Sequence, residues 1–339
     1  MTIRIALDAM GGDAAPGIVI QGAVMAAAAH PEVEFILVGR EDAIRAEYQK
    51  LGTDGSRFTI QPASQVVDMS DKPSVALRNK RDSSMRVAAN LVREGKADAM
   101  VSAGNTGALM AIARFILKTL PGIDRPAIAA MLPAINGQTL MLDLGANVHC
   151  TPEQLTQFAV MGEVYAIHVL GIPNPRMGIL NIGEEEMKGN ELVKEAGERI
   201  RENVGNYVGN VEGDDIFKGK ADVVVCDGFV GNISLKSSEG VAQMLSHYLK
   251  ESFRHSWLTR LGYLMAKPAL NRFREKVDHR RYNGAMLLGL NGIVVKSHGS
   301  ADGFAFNCAI QRAVDLSSNR VNDKISGQVI RIHLGEASS

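Results

Sequence analysis

Residues 3–40 read IRIALDAMGGDAAPGIVIQGAVMAAAAHPEVEFILVGR. IRIALD is a short apolar strand, 16–29 is an alanine-rich segment with proline at its start that predicts a helix, and VEFILVG is a second strand. Strand, helix, strand is the βαβ opening of a parallel α/β sheet. Outward from it the alternation continues, with a helix over 42–51, a short strand near Phe58, a helix over 83–94, a strand over 99–101 and a helix over 107–119. The uncharged run 126–142 contains Pro133, Asn136 and Gly137 and predicts two strands around a turn, and beyond Pro152 helix and strand patterns alternate again. VVVC and GIVV are apolar at almost every position, as in strands covered on both faces. The expected fold is a three-layer α/β/α arrangement around a mostly parallel, doubly wound sheet.

The bulk composition narrows the function. With 339 residues, 46% of them hydrophobic, the chain has ample material for a core, and it reads as a single domain over 1–339. Lys and Arg number 37 against 37 Asp and Glu, so no global field recruits nucleic acid. Cys150, Cys226 and Cys308 form no CxxC pair and no disulfide framework, which fits a reducing compartment. The first residues lead directly into a strand without a basic and apolar leader, and no run of about 18 apolar residues occurs. Both features point to the cytoplasm.

Residues 241–281 depart from the alternation. They carry no strand signal, hold Pro268 as the one breaker, and predict two consecutive helices, a hairpin inserted in the domain. Phe253, Trp257, Leu261, Leu264 and Met265 recur at helical spacing beside an excess of Lys and Arg. Such a helix lies at a membrane interface or packs its apolar stripe on the sheet or on a second subunit. Periodicity alone favours packing.

Six apolar runs break into small, polar, glycine-bearing loops: LDAMGGD, SAGNTGA, DLGAN, GEEEMKGN, DGFVGN and KSHGSAD. In an open parallel sheet such loops gather at the carboxyl ends of the strands, where ligands bind, so all six are expected along one edge. Their backbone N–H groups and small polar side chains suit an anion and a polarised carbonyl. The first loop supplies Asp8, Gly11, Gly12 and Asp13, the second Ser102, Gly104, Asn105 and Thr106, and the third Asn147. Lys188, Asn232 and His298 complete the set. Each has a plain alternative as a turn glycine, a helix cap or a solvated side chain. Dinucleotide and Walker fingerprints, a serine-hydrolase elbow and metal-ligand histidine spacing are absent from the sequence. No cofactor or metal is therefore expected. Asp227 could serve as a base and Cys150 as a nucleophile, with an inert thiol the commoner case.

With these motifs in this order, the chain resembles the phosphate acyltransferase family of bacterial phospholipid synthesis, the PlsX type, over essentially its whole length. The resemblance implies that inorganic phosphate attacks the thioester of a fatty acyl group on acyl carrier protein, giving acyl phosphate. It also implies a homodimer with a fold related to phosphotransacetylases and isocitrate-type dehydrogenases. The family associates peripherally with the inner face of the membrane and hands acyl phosphate to a membrane glycerol-3-phosphate acyltransferase, which turns the reading of the hairpin toward the membrane. Phosphate is already a nucleophile and a pantetheine thiol leaves readily, with a pKa of about 8.5. The site must then orient two reactants and stabilise an oxyanion. In that scheme Lys188 holds phosphate or the oxyanion, Asn232 donates to the thioester oxygen, and Ser102 to Thr106 cradle phosphate with His298 nearby. Arg78, Lys80, Arg81 and Arg86 are a candidate docking face for the acidic carrier, or a solvated helix face. Short-chain acyl-coenzyme A as donor and a non-catalytic membrane scaffold are the alternatives.

Overall fold

The computed structural model describes residues 2–53, 55–135 and 137–336. In chain order they form β1 Arg4–Asp8, α1 Gly17–Ala29, β2 Glu34–Gly39, α2 Glu41–Leu51, β3 Phe58–Pro62, α3 Pro73–Asn79, α4 Ser84–Arg93, β4 Ala99–Ser102 and α5 Thr106–Leu117. There follow β5 Ala127–Ala134, β6 Gly137–Leu142, α6 Pro152–His168, β7 Met177–Leu180, α7 Glu191–Asn203, β8 Tyr207–Val211, α8 Asp215–Lys218 and β9 Val223–Val225. The last third holds α9 Gly228–Arg254, α10 Trp257–Val277, a 3₁₀ turn His279–Tyr282, β10 Ala285–Leu288, β11 Ile293–Lys296, α11 Gly303–Ser318 and α12 Val321–Glu336.

The strands form one 11-stranded sheet in the order β3-β2-β1-β4-β11-β10-β5-β6-β9-β7-β8. Alternation along each strand feeds two cores. Ile5 and Leu7 pack with Phe35, Phe158 and Phe306 on one face, while Ala6 packs with Met100, Leu109 and Ile112 on the other. Helices α1, α6 and α11 cover the first face and α4 and α5 the second. Burial on both sides explains why the strands read as continuous apolar runs.

Seven strand pairings are parallel and three antiparallel. The three reversals are consecutive, at β11/β10, β10/β5 and β5/β6. An odd number of reversals makes β6, β9, β7 and β8 run opposite to β1, β4 and β11. The six glycine loops therefore do not share one edge. LDAMGGD, SAGNTGA and KSHGSAD follow strands of one half, and DLGAN, GEEEMKGN and DGFVGN follow strands of the other. Parts of the two groups still meet, because α5, which follows β4, and the start of α9, which follows β9, line one groove through Thr106 and Asn232.

The hairpin also differs from expectation at both ends of its first helix. α9 begins at Gly228 rather than near 241 and runs for 27 residues, and the break falls at His255 and Ser256, with Pro268 inside α10. Ser256 and Thr259 form a reciprocal capping box that starts α10, and this outweighs the proline as a boundary signal. Phe253 and Tyr263 close the hairpin edge to face at 5.3 Å. Phe253 is thus half-buried inside the hairpin, whereas Trp257, Leu261, Leu264 and Met265 are exposed. Among the described residues, no helix is long and apolar enough to cross a membrane.

Candidate active site

At the ends of β1, β4 and β11 the predicted loop residues converge. Asp8 is buried, and its carboxylate accepts the Ser102 hydroxyl at 2.6 Å and the Met10 N–H at 3.3 Å. Burial pushes the Asp8 carboxyl up, against the pull of the Ser102 and Ser84 hydroxyls. The Ser102 oxygen in turn accepts the Gly104 N–H at 3.1 Å. A Cβ on Gly11 would stand 2.6 Å from the Asp8 carboxylate and 2.8 Å from the Gly104 nitrogen, so only glycine lets the two loops touch. Gly12 lies against Ala103, and the Asp13 N–H donates to the Gly299 carbonyl at 2.9 Å, tying in the loop after β11.

Not every singled-out side chain is available to a ligand. Ser102 is engaged by Asp8. Asn105 caps α5 by accepting the Ala108 N–H at 3.0 Å and donates to the Met69 and Asp71 carbonyls at 2.8 and 3.1 Å. Thr106, at the first turn of α5, is exposed. His298 is exposed too, and its Nδ1 accepts the Ser300 N–H at 3.2 Å, which leaves Nε2 to carry the proton of the neutral ring. Partial burial, then Lys236 and Lys296, push the His298 ring below its usual range. Sequence reasoning passed over Lys296. It is buried, and desolvation pushes its ammonium down to about 8 against the attraction of Asp8 and Asp13. The signal was present, a charge closing an otherwise apolar strand, IVVK.

In the other half, DLGAN and DGFVGN form one joint. The buried Asp143 carboxylate accepts N–H groups of Ile128, Gly145, Ala146 and Asn147 at 2.7–3.2 Å, while burial pushes its pKa up. Asn147 is buried and donates its side-chain amide to Asp143 and to the Pro126 carbonyl, both at 2.9 Å. It fixes the loop. Asp227 caps α9 by accepting the Phe229 and Val230 N–H groups at 2.9 and 3.0 Å. The N-terminus of α9 then docks on the loop, where a Cβ on Gly231 would fall 1.9 Å from the Asp143 carbonyl oxygen. The joint presents Asn232 at the surface, 3.4 Å from where a Cβ on Gly145 would lie. Burial pushes the Cys150 thiol up to about 11 and Cys226 well above its ordinary value, so neither supplies a thiolate near neutrality.

Lys188 lies in the loop after β7, next to β9 in the sheet. Its stem packs near Gly183 and its carbonyl accepts the Asn181 side chain at 3.1 Å. The lysine is exposed, and its ammonium has no ion pair or hydrogen bond among the described residues. Two neighbouring glutamates are taken elsewhere, Glu184 by Lys220 and Glu186 by Arg201. Glu184, Glu212 and Asp215 bring carboxylate oxygens within 4.8 Å of one another, and Lys218 and Lys220 pair with the same group.

One open groove of about 570 Å³ crosses from one half to the other. Thr106, Met110 and Arg114 of α5 form one wall, and Ile128, Gly145 and Asn232 line the opposite side. It unites Thr106 with Asn232, from loops of opposite strand direction. Lys188 and His298 are not among its lining residues. The basic cluster divides: Lys80 pairs with Asp68 and Asp71 at 2.7 and 2.5 Å, and Arg86 donates to the Leu77 carbonyl at 2.6 Å. Arg78 and Arg81 remain exposed.

Comparison with known proteins agrees with this architecture. Residues 3–324 match the family model described as "Fatty acid synthesis protein". The chain is 59% identical over 337 residues to a phosphate acyltransferase of Magnetococcus marinus, covering 98% of this chain and 96% of the relative. It is 55% identical over 327 residues to a phosphate acyltransferase of Paraburkholderia phytofirmans, covering 96% and 89%. In fold it is similar to the EutD phosphotransacetylase from Staphylococcus aureus, with TM-score 0.58, 19% identity and 93% and 94% of the two chains covered. A phosphotransacetylase from Streptococcus pyogenes matches with TM-score 0.57, 20% identity and 97% and 94% covered.

Proposed function

The chain belongs to the fatty acid synthesis protein family and is an acyltransferase that uses phosphate, and from that premise we propose that it takes a fatty acyl group from the thioester of acyl carrier protein and releases acyl phosphate. The observation that carries this reading is the groove. Met110, Ala111, Ile128 and Leu144 give it apolar walls, and its polar side chains are Thr106 and Arg114 on α5 with Asn232 on the opposite side. Such a channel suits an alkyl chain ending in a thioester.

A phosphate oxygen attacks the thioester carbon, the carbonyl electrons move onto oxygen, and the tetrahedral oxyanion collapses by breaking the C–S bond. The thiolate leaves and takes up a proton, and the acyl carbon is now joined to phosphate. Asn232 donates to the oxygen that becomes the oxyanion. Lys188, exposed and without an ion pair among the described residues, supplies positive charge from the neighbouring strand end, and the N–H groups of the SAGNTG loop at the head of α5 cradle phosphate. Fixing both reactants lowers the barrier by roughly 7–11 kcal/mol where alignment is good. No covalent intermediate is needed, consistent with thiols held protonated at Cys150 and Cys226.

The outer faces belong to the same reading. Val241, Met244, Leu245, Tyr248 and Leu249 make an exposed apolar stripe on α9, which we assign to a second copy in a homodimer. Trp257, Leu261, Leu264 and Met265 on α10 face the inner surface of the membrane, where acyl phosphate passes to a glycerol-3-phosphate acyltransferase. Free-thiol release from long-chain acyl carrier protein, measured with and without phosphate and in parallel with acyl-coenzyme A of graded length, tests the reaction. Phosphate-dependent release that prefers the carrier supports it, and preference for short acyl-coenzyme A replaces it with a phosphotransacetylase.

A further inference from the structure

The end of β11 carries a group that the mechanism above leaves idle. Lys296 is only 8% exposed and lies in register with Ser102 of β4. On the other side of β4, Val101 pairs with Leu7, so the next step along that parallel ladder sets Ser102 beside Asp8. Three adjacent strand ends thus put a carboxyl, a hydroxyl and an ammonium in one row on one side of the sheet. Two residues earlier the same row holds Ala6, Met100 and Val294, which share a single core.

An ammonium has three donors. That of Lys296 donates to the Ser297 carbonyl, and it has no further hydrogen bond or ion pair among the described residues. A buried charge with idle donors is expensive unless something completes its shell. The charged groups facing it come from three directions: Asp8 at the end of β1, Asp13 in the loop after it, and Lys236 on α9. His298, two residues on, feels Lys236, Lys296, Glu239 and Asp13. Asp8 is engaged by Ser102, and Lys236 is paired with Glu239 at 2.7 Å.

We propose that Lys296 is a ligand-binding cation of this site, whose idle donors hold the oxygens of a phosphoryl anion beneath the GGD and SAGNTG loops, with Lys236 as the outer positive charge. This deepens the acyl-transfer reading and rests on it for the identity of the anion. Two sources carry that chemistry, inorganic phosphate and the phosphate of the carrier's pantetheine arm.

The test compares the full-length wild type with Lys296→Met and Lys296→Arg in two assays. In the first, thiol release is followed while phosphate and acyl carrier protein are varied separately. We expect Lys296→Met to raise KM at least tenfold for one of them, with Lys296→Arg recovering part of the loss. A rise for phosphate identifies the inorganic anion and a rise for the carrier identifies its pantetheine phosphate. In wild type the affected KM should climb as pH passes about 8, where the ammonium loses its proton, and Lys296→Met should lack that climb. Unchanged KM for both, or a fall in kcat alone with the same pH profile as wild type, overturns the proposal.

The second assay is the rise in melting temperature produced by inorganic phosphate or by phosphopantetheine, which needs no turnover. Loss of that rise in Lys296→Met supports the anion site even if wild type transfers no acyl group, so the two readings fail separately. Should Lys296→Met not fold, Lys236→Met on the exposed face of α9 takes its place, with a smaller rise in KM expected and no change overturning the pairing of the two lysines.

Discussion

Asn232 and Lys188 owe their candidacy to what they lack, because among the described residues neither side chain has a hydrogen bond of its own while most polar groups around them do. Each is exposed, so truncation should leave the fold intact and remove only transition-state contacts. Asn232→Ala and Lys188→Ala are each expected to lower kcat/KM about a hundredfold or more, as read by phosphate-dependent thiol release, and activity within a few-fold of wild type would remove that residue from the scheme. Lys296 gives a prediction of opposite sign for stability. Its folded pKa, about 8, lies below the unfolded value of 10.5, so the unfolded chain binds more protons between those values and stability rises with pH across that window. Below pH 8 the full cost of burying the ammonium is present, on the order of 3 kcal/mol. Lys296→Met should therefore unfold later than wild type in urea at pH 7, and the difference should shrink by pH 10. A variant less stable at pH 7 would mean that the attraction of Asp8 and Asp13 outweighs desolvation. Residue types at this scale were legible in the sequence and their availability was not. Ser102, Asn105 and Asn147 were read as ligand groups, yet their partners Asp8, Met69 and Pro126 lie 94, 36 and 21 residues away, and no local pattern reports whether a donor is already engaged.

At the scale of elements, the joint between DLGAN and the start of α9 positions the groove. DGFVGN was read as a loop because two glycines after a strand usually make a turn. Here they open a helix, since Gly228 and Gly231 face the carbonyls of Asn147 and Asp143 too closely for any side chain. Gly231→Ala has to push α9 away from the Asp143 loop, because its Cβ would sit 1.9 Å from a backbone oxygen. The expected loss is about 3 kcal/mol, at the upper end of overpacking costs, measured by urea denaturation, together with loss of activity as Asn232 leaves the groove wall. Stability equal to wild type would show that the helix is not held at this joint. The helix over 83–94 was legible because it is amphipathic and capped by Ser83, which accepts the Arg86 N–H. The boundary at Ser256 was missed because Pro268 attracted it, although Ser256 and Thr259 carried the capping signal three residues apart.

The whole molecule is set by three consecutive antiparallel pairings in a sheet that otherwise reads as parallel. Strand patterns reveal that a segment pairs, not the direction in which it runs, so the division of the six loops into two groups was invisible in the sequence while the three layers were plain. The consequence is a groove lined from both halves of the sheet, with Asn232 near the start of α9 on its wall and no described residue of α10 among its lining. That separation makes membrane attachment and chemistry independently testable. Trp257 is 73% exposed and Met265 80%, Leu261 lies one turn from Trp257 on the same helix, and Lys250, Arg254, Arg260 and Lys267 are exposed around them. An apolar face flanked by cations binds the interface through buried area and attraction to anionic lipid. Charge reversal of the apolar face opposes both contributions, since a carboxylate neither buries in the acyl boundary nor approaches anionic headgroups. The double variant Trp257→Glu, Leu261→Glu should therefore lose flotation with anionic vesicles while its turnover of soluble acyl carrier protein stays within a few-fold of wild type. Binding by wild type should weaken as salt is raised, because the cations contribute through a screened field. Vesicle binding that survives the double substitution would assign the α10 stripe to another protein surface, and loss of turnover together with binding would mean that the hairpin shapes the groove as well.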